Sequence, residues 1–257
     1  MDYSSFINNQ FLSLKIFYYS KEEYMPLHSH DFSAISVVLK GNVLEKINGK
    51  AELASTASLL IKPKETLHED FFGENGASII SLKVFDEHIL SDANKSIFDH
   101  WNWHHIPNAS VLLLKIWAFL LTSRKDKDMI VLLNDFIKTL NKIIKTNKEN
   151  HPPYWVEQIK PEVVLSYTEN LTLKRLAKEN RVHPVYLARV FRKYYLCSLK
   201  EYVRNLKLYQ AVSELPLKNN SLSEIAYNTG FSDQSHFNRV FKSELGISPG
   251  ALKKSLL

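Results

Sequence analysis

The chain has 257 residues, and this length predicts two domains if a domain takes about 100–200 residues. Hydrophobic residues make up 45% and charged residues 23% of the chain, which is typical of folded globular proteins and excludes a wholly disordered one. The one cysteine, Cys197, excludes an intrachain disulfide framework and a cysteine-based zinc finger. The sequence has neither a secretory signal nor an apolar run of about 20 residues, so a soluble cytoplasmic protein is expected.

The positive charge lies in the second part of the chain. Residues 1–153 carry 17 Lys and Arg against 18 Asp and Glu, a net charge of −1, whereas residues 154–257 carry 16 against 9, a net charge of +7. This division indicates that the second part binds a polyanion. A solvated cationic face has the same composition and remains an alternative.

The first part of the chain is predicted to form a β-domain. Residues 14–90 contain runs of β-branched and aromatic residues that are broken by turn signals. The dipeptide Asn48-Gly49 predicts a two-residue hairpin, because both residues tolerate positive φ. Short strands with regular turns favour a sandwich or a barrel.

Residues 109–147 change to a helical period and predict two helices. The apolar positions of the second helix are Ile130, Leu133, Phe136, Ile137, Leu140 and Ile144. This stripe packs either on the β-domain itself or against a second copy of the chain. We favour a homodimer through residues 109–147, since the stripe is long and the β-domain is small.

The polar segment KTNKENHPP at 145–153 ends in two prolines, which stop a helix. It predicts a linker at 147–153 that separates a domain at 1–146 from a domain at 154–257. After the linker, helices are expected at 154–167, 172–180, 184–195, 198–215, 221–228 and 233–245, and after Ser248-Pro249.

The second domain contains an internal repeat. Three apolar positions recur at an offset of 49, namely Leu173, Leu176 and Ala177 as Leu222, Ile225 and Ala226. The tripeptide Arg189-Val190-Phe191 recurs as Arg239-Val240-Phe241 at an offset of 50. Each copy reads as a short helix, a tight turn and a longer helix, which is the pattern of a helix-turn-helix unit. In the second copy, Gly230 supplies the turn.

The outward face at the start of each longer helix is expected to enter the major groove of DNA. The predicted base contacts are Val185, Ala188, Arg189, Gln234, Ser235, Asn238 and Arg239. The predicted phosphate contacts are Arg181, Arg192, Lys193, Lys200 and Lys242. Because amides and guanidinium groups bond base edges, the second copy is expected to read more sequence. A structural ion pair with a neighbouring carboxylate is the alternative for Arg189 and Arg239.

Residues from about 160 to 255 resemble the C-terminal domain of the AraC/XylS family of bacterial transcription regulators. The resemblance rests on the segments LTLKRLAKE, YLARVFRK, SLKEYVRNLKLYQA and SLSEIAYNTGFSDQSHFNRVFKSELGISP. It implies two helix-turn-helix units that are joined by a long helix at 198–215 and present both recognition helices to one side of DNA. Three positions depart from the family pattern: Leu196 stands where a turn glycine is common, His183 where a serine usually caps the helix, and Ala188 is small for a recognition position.

The segments PLHSHDFSAISVVLKGNV and SLLIKPKETLHED resemble the cupin-like sensor domain of the same family, and the two helices at 109–147 resemble its dimerisation element. The resemblance implies an α+β protein of two domains. A cupin-like β-barrel with two appended helices senses an effector and dimerises, and an all-α domain with two helix-turn-helix units binds DNA. The implied partners are double-stranded DNA, a small-molecule effector of unknown identity, a second copy of the chain and RNA polymerase.

His28, His30 and His68 are candidate functional residues of the barrel. His28 and His30 lie two residues apart and are expected on one face of a strand, and His68 follows a strand and a turn. Three imidazoles that converge bind Zn²⁺, Fe²⁺ or Ni²⁺, but the carboxylate that metal-binding cupin enzymes place after the pair is missing here. We therefore predict no metal, cofactor or catalytic residue. The predicted effector pocket is lined by His28, His30, Phe32, Ser36 and His68, and structural histidines are the alternative.

The leading hypothesis is a sequence-specific DNA-binding transcription regulator that a small molecule in the barrel controls. The second is a metal-dependent cupin enzyme with a nucleic-acid-binding tail. The third is a DNA-binding protein whose front domain only dimerises, for which a barrel without a pocket is expected.

Overall fold

The computed structural model describes residues 2–105, 107–120, 126–147, 153–169 and 171–256. In the described residues, the first part of the chain forms an eight-stranded antiparallel sheet, named the barrel below, with the path β1-β2-β7-β4-β6-β8, while β3 pairs with β7 and β5 pairs with β4. The strands are β1 Asp2–Asn8, β2 Leu12–Tyr19, β3 Tyr24–His28, β4 Ser33–Ile47, β5 Lys50–Ser55, β6 Leu59–Lys62, β7 His68–Val84 and β8 Asn102–His104.

Strand β4 is buried on both of its faces over its first half. Ile35 and Val37 point into the core that the sheet shares with the helices, and Val38 belongs to a second cluster inside the barrel. A strand that is covered on both sides reads as a continuous apolar run, which accounts for the sequence SAISVVL.

The long strands β4 and β7 bend where their pairing is irregular. The register shifts between Val38 and Lys40 and again between Gly41 and Val43. Gly41 has a φ of +77°, and a Cβ there would lie 2.0 Å from the carbonyl oxygen of Gly76, so only glycine allows this close approach. The bend lets one end of β7 pair with β2 and the other end with β3.

The predicted hairpin is confirmed. Ile47 and Lys50 are paired across a two-residue turn, in which Asn48 has a φ of 47° and Gly49 a φ of 76°. Two positive φ angles define the turn type that matches the twist of an antiparallel pair.

Helix α1 Asp92–Lys95 lies between β7 and β8, and helices α2 Pro107–Leu120 and α3 Asp126–Asn147 follow β8. The apolar stripe of α3 packs within the chain's own core, where Leu133, Phe136, Ile137 and Leu140 are buried. We favoured a homodimer because we expected the stripe to be too long for the β-domain to cover, and this reason is wrong. The stripe packs on the chain's own core, which is the alternative we gave.

The second part of the chain is helical, as predicted. Its helices are α4 Tyr154–Ser166, α5 Leu173–Glu179, α6 Pro184–Tyr195, α7 Leu199–Glu214, α8 Leu222–Asn228, α9 Gln234–Leu245 and α10 Pro249–Leu256. Four of the helices begin one residue after the capping residues Thr172, Ser198, Ser221 and Asp233, which have extended backbone and accept hydrogen bonds from the first turn.

Helix α3 ends at Asn147, and α4 begins at Tyr154 with Pro153 as its cap. The predicted linker at 147–153 falls mainly on residues 148–152, which lie outside the described residues. The division into domains at 1–146 and 154–257 stays a prediction. None of the helices in the described segments has both the length and the apolar character of a membrane span.

The barrel and the second helical part share one apolar core. Helix α7 packs against β4, and α2 packs against α7 and α9. The hydroxyl of Tyr18 on β2 donates a hydrogen bond of 3.2 Å to the carbonyl oxygen of Ser213 on α7. The helix that joins the two repeats is therefore in direct contact with the barrel.

Candidate DNA-binding surface and barrel pocket

The two sequence repeats have the same local structure. Helices α5 and α8 each have 7 residues, and α6 and α9 each have 12. In the first turn, the N–H of Val182 donates to the carbonyl of Ala177 over 2.9 Å, and in the second turn Phe231 donates to Ala226 over the same distance. The offset of 49 that the sequence shows is thus preserved in the hydrogen bonds of the turns.

Each turn needs one residue with left-handed backbone. The residue is Arg181 in the first copy, with a φ of 53°, and Gly230 in the second, with a φ of 77°. The predicted turn role of Gly230 is confirmed. A Cβ at Gly230 would lie 3.0 Å from the Cα of Thr168, and the ammonium of Lys207 donates to the carbonyl of Gly230, so the turn is enclosed by its neighbours.

The two longer helices begin with different caps. The His183 imidazole accepts from the N–H of Val185 over 3.3 Å, and Pro184 occupies the first helical position. The Asp233 carboxylate accepts from the N–H of His236 over 2.7 Å. The structure thus shows how α6 starts without the serine of the family pattern, because a side-chain acceptor and a proline with a suitable φ are both present.

The inner face of each longer helix is buried through Leu187 and Phe191 in α6 and through Phe237 and Phe241 in α9. The opposite face is open to solvent. Of the predicted base contacts, Val185, Arg189, Gln234, Ser235 and Arg239 are exposed or partly so, and Ala188 and Asn238 lie beside them on the same helices. The Oδ1 atom of Asn238 is buried and makes no hydrogen bond in the described residues.

The side chains of Arg189 and Arg239 are available for a ligand. Among the residues that the structure describes, neither forms an ion pair with a carboxylate, so the structural alternative finds no support. The guanidinium of Arg189 lies 5.5 Å from the ring centroid of Tyr186, which stacks on Trp155 at 5.8 Å. This stacking holds Arg189 on the outer face of α6.

The structure brings some of the predicted phosphate contacts together. Arg192 and Lys200 line a groove of about 500 Å³ with Arg189, between the start of α7 and the outer side of α6. Arg181, Lys193 and Lys242 are exposed elsewhere on the same helical part. These assignments to bases and phosphates stay predictions.

The barrel contains a cavity of about 110 Å³. Four of the five predicted pocket residues, His28, His30, Phe32 and Ser36, line it, and the fifth, His68, lies against His28 and His30. The cavity is large enough to hold water molecules or a small ligand. The third hypothesis expects a barrel without a pocket, whereas the described residues form a barrel with a cavity.

The inner end of the cavity is charged. The carboxylate of Glu45, which is fully buried, pairs with the ammonium of Lys62 and accepts from Trp103 Nε1 over 2.7 Å. Burial lowers the pKa of Lys62, but Glu45 and Asp70 outweigh it and raise the pKa above its usual value. Burial lowers the pKa of Lys83, which also lines the cavity, to about 8.

The three candidate histidines converge. The ring centroids of His28 and His68 lie 4.2 Å apart, those of His28 and His30 4.9 Å, and those of His30 and His68 5.1 Å. The cause is the pairing of His28 with His68 across β3 and β7. Strand β3 ends at His28, so the expectation that His30 shares a strand face with it is wrong: His30 reaches the cluster from the following segment.

Two of these imidazoles are neutral at neutral pH. Burial, together with the neighbouring His68 and His28, lowers the pKa of His30 to about 3. Burial and the charge of Lys62 lower the pKa of His68 to about 4. Neutral imidazoles accept hydrogen bonds and bind metals through one nitrogen.

The helical part of the chain matches a family model and sequences of known proteins. A family model described as a helix-turn-helix domain matches residues 176–255, which covers both repeats from within α5 onward. The chain is 31% identical over 94 residues to the probable transcription factor PqrA of Proteus vulgaris, a match that covers 37% of this chain and 77% of PqrA. It is 30% identical over 102 residues to the Msm operon regulatory protein of Streptococcus mutans, which covers 40% of this chain and 37% of that protein.

The chain therefore spans about three quarters of the length of one of these relatives and about a third of the other. Among solved structures, ToxT from Vibrio cholerae aligns over 96% of this chain and 99% of its own, with 14% identity and a TM-score of 0.40. The match to PqrA over most of that protein, together with the two equivalent helix-turn-helix units, shows that the chain belongs to the AraC/XylS family of transcription regulators.

Proposed function

We propose that this chain is a sequence-specific DNA-binding transcription regulator that is controlled by a small molecule in its barrel. The observation that carries the proposal is the pair of equivalent helix-turn-helix units, each with a solvent-facing recognition helix, on the part of the chain with a net charge of +7. Such helices fit the major groove, and the positive charge supplies the affinity for phosphate.

Helices α6 and α9 read the bases in this proposal. The base contacts are Val185, Ala188, Arg189, Gln234, Ser235, Asn238 and Arg239, and the phosphate contacts are Arg181, Arg192, Lys193, Lys200 and Lys242. Arginine bonds guanine in two places, and glutamine and asparagine bond adenine in two places. Because Arg189 is the only one of the proposed base contacts on α6 that can form such bonds, α9 carries most of the sequence specificity.

The effector acts through the contact between the barrel and α7. Tyr18 lies on β2, which also supplies the cavity residues Phe17 and Tyr19, and its hydroxyl bonds the carbonyl of Ser213 on α7. A ligand that moves β2 therefore changes the position of the helix that joins the two reading units. Differential binding to two such arrangements is the requirement for control by a ligand.

The regulator works in the cytoplasm as a homodimer and contacts RNA polymerase at its promoters. The dimer surface lies within 109–147, where Phe119 and Val131 remain 50% and 61% exposed after the helices have packed on their own core. The domain division is that of a sensor at 1–146, a linker at 147–153 and a DNA-binding domain at 154–257.

A metal-dependent enzyme with a nucleic-acid-binding tail is the second candidate, and the convergence of the three histidines is the observation that favours it. We propose the regulator instead, because it assigns a role to both parts of the chain without a chemical step.

The test is a selection of random DNA duplexes by the full-length protein. The expected result is a motif with two segments about 10 base pairs apart, one for each recognition helix. Full-length Arg239→Ala serves as the matched control and is expected to lose the preference in one segment only. Binding without any enriched motif, which collapses as salt is added, would overturn the proposal of sequence-specific reading.

A further inference from the structure

We propose that His28, His30 and His68 form a binding site for a divalent transition-metal ion at the mouth of the barrel cavity. One ligand nitrogen from each ring lies within 4.8 Å of the other two. His68 is fully buried, while His28 and His30 are half-buried and line the cavity. In this proposal a small rotation of the rings brings all three nitrogens into contact with a single ion between them.

Hydrogen bonds hold two of the rings in the tautomer whose Nε2 atom can bind a metal. Nδ1 of His28 lies 2.7 Å from the carbonyl oxygen of Pro26, and Nδ1 of His68 lies 2.9 Å from that of Thr66. A carbonyl oxygen only accepts, so both Nδ1 atoms carry the proton and both Nε2 atoms present a lone pair. Metal-binding histidines are oriented by hydrogen bonds of this kind.

In the described part of the chain, neither of these two lone pairs accepts a hydrogen bond. The Nε2 atoms of His28 and His68 are buried and make no hydrogen bond there. Oδ2 of Asp70 lies 3.7 Å from Nε2 of His68, and Oδ1 of Asp70 is also buried without a hydrogen bond in the described residues. Lone pairs and a carboxylate that face one another repel, and a cation between them removes the repulsion.

The charged side chains around the cavity balance one another, so the ligand atoms determine which ion binds. Lys62 and Lys83 are balanced by Glu45 and Asp70, and Lys62 is paired with Glu45. Three imidazole nitrogens suit Zn²⁺, Co²⁺, Ni²⁺ and Cu²⁺, whereas Mg²⁺ and Ca²⁺ prefer oxygen. The proposed ion is therefore one of the first group.

The first experiment titrates Co²⁺ into untagged, chelator-treated full-length protein and follows the visible absorption. The expected result is one equivalent of Co²⁺ with the bands of a nitrogen-ligated ion, which Zn²⁺ displaces and a large excess of Mg²⁺ leaves unchanged. Absence of the bands would overturn the proposal and leave a cluster of structural histidines.

A second readout uses Trp101, whose ring centroid lies 4.7 Å from that of His68. Binding of Ni²⁺ is expected to quench more of the tryptophan fluorescence of the wild type than of Trp101→Phe, in which three other tryptophans remain. Equal quenching in both proteins would place the ion elsewhere.

Variants assign the ligands. His30→Ala removes one ligand from a half-exposed position, so the fold is expected to persist by circular dichroism, and the affinity for Zn²⁺ should fall by more than about 10-fold, the lower end of the cost of losing only an outer-shell partner. The matched control is His88→Ala, a histidine outside the cavity, which should bind Zn²⁺ like the wild type. Unchanged affinity in His30→Ala, or equal loss in His88→Ala, would contradict the site. None of these readouts involves DNA, so they hold whether or not the chain proves to be a regulator.

Discussion

The ammonium of Lys62 at the end of β6 pairs with the carboxylate of Glu45 on the far half of β4, inside the barrel. Glu45 is fully buried, and Trp103 Nε1 donates a second hydrogen bond to it. The pair thus adds side-chain bonds between three strands that are also linked by backbone hydrogen bonds.

Lys62→Met is expected to destabilise the protein strongly, because it leaves the carboxylate of Glu45 buried without its cation. Breaking one side of a buried ion pair costs about 3–5 kcal/mol. The measurement is the free energy of unfolding from urea titration. The double variant Lys62→Met/Glu45→Leu should recover much of the loss, since the uncompensated charge is gone, and a single variant as stable as the double one would contradict the assignment.

Gly230→Ala is expected to destabilise the second helix-turn-helix unit by about 1–3 kcal/mol, because alanine is strained at a φ of +77°. The methyl group would also meet the backbone of Thr168. Gly250→Ala is the matched control, since its Cβ makes only ordinary contact with Leu222 and lies in a helix, where alanine is favoured. Thermal unfolding of the two variants compares them directly, and an equal melting temperature would refute the role of the turn.

The second part of the chain was predictable nearly to the residue because its signals are local. Caps such as Ser221, turn residues such as Gly230 and a repeat at offset 49 all act within a few residues. Even the unusual start of α6 at His183 and Pro184 could be anticipated, since each residue affects only the helix that it begins.

The barrel was less predictable because its inward face changes along β4. Alternation from His28 places even-numbered residues such as Ala34 and Ser36 inside, and the structure agrees up to Val38. The two register shifts then bring odd-numbered residues inside, so that Val43 and Glu45 line the cavity. A bulge cannot be placed from alternation alone, and Gly41 was its local signal.

The convergence of the histidines also lay beyond the sequence. It depends on the register that pairs His28 with His68, and a shift by one residue would turn one ring away from the other. The fate of the α3 stripe was equally undecided, since an amphipathic helix looks the same whether it covers its own domain or a partner.

Val131→Lys tests the homodimer. Val131 is 61% exposed on α3, and a lysine buried in an interface must lose its hydration, so the dimer Kd should rise by about tenfold or more. Light scattering over a range of concentrations gives the mass. Leu165→Lys is the matched control, because Leu165 is also an exposed apolar residue, on α4 and outside 109–147. A monomeric wild type, or a dimer that Val131→Lys leaves intact, would rule out this surface.

Arg239→Ala is expected to weaken binding to the selected DNA motif by about 1–3 kcal/mol and to relax the preference at one base pair. Arg239 lies on the second turn of α9 and has no carboxylate partner in the described residues, so its loss leaves the fold intact. Binding to a library of single-base variants measures both effects. If the variant binds more weakly but keeps the same base preference, Arg239 contacts a phosphate and not a base.

Lys242→Ala should behave differently, because Lys242 lies about one turn further along α9, where we expect the sugar-phosphate backbone rather than the base edges. Loss of one phosphate contact weakens binding to every sequence alike and reduces the slope of log K against log salt by about one. The measurement is the affinity for the selected motif and for an unrelated duplex over a range of salt concentrations. Lys254→Ala on α10 is a charge-matched control, which removes the same charge away from the recognition helix and should leave the slope unchanged. If Lys242→Ala instead altered the preferred base at any position, the assignment of Lys242 to the phosphate contacts and of Arg239 to the base contacts would be wrong.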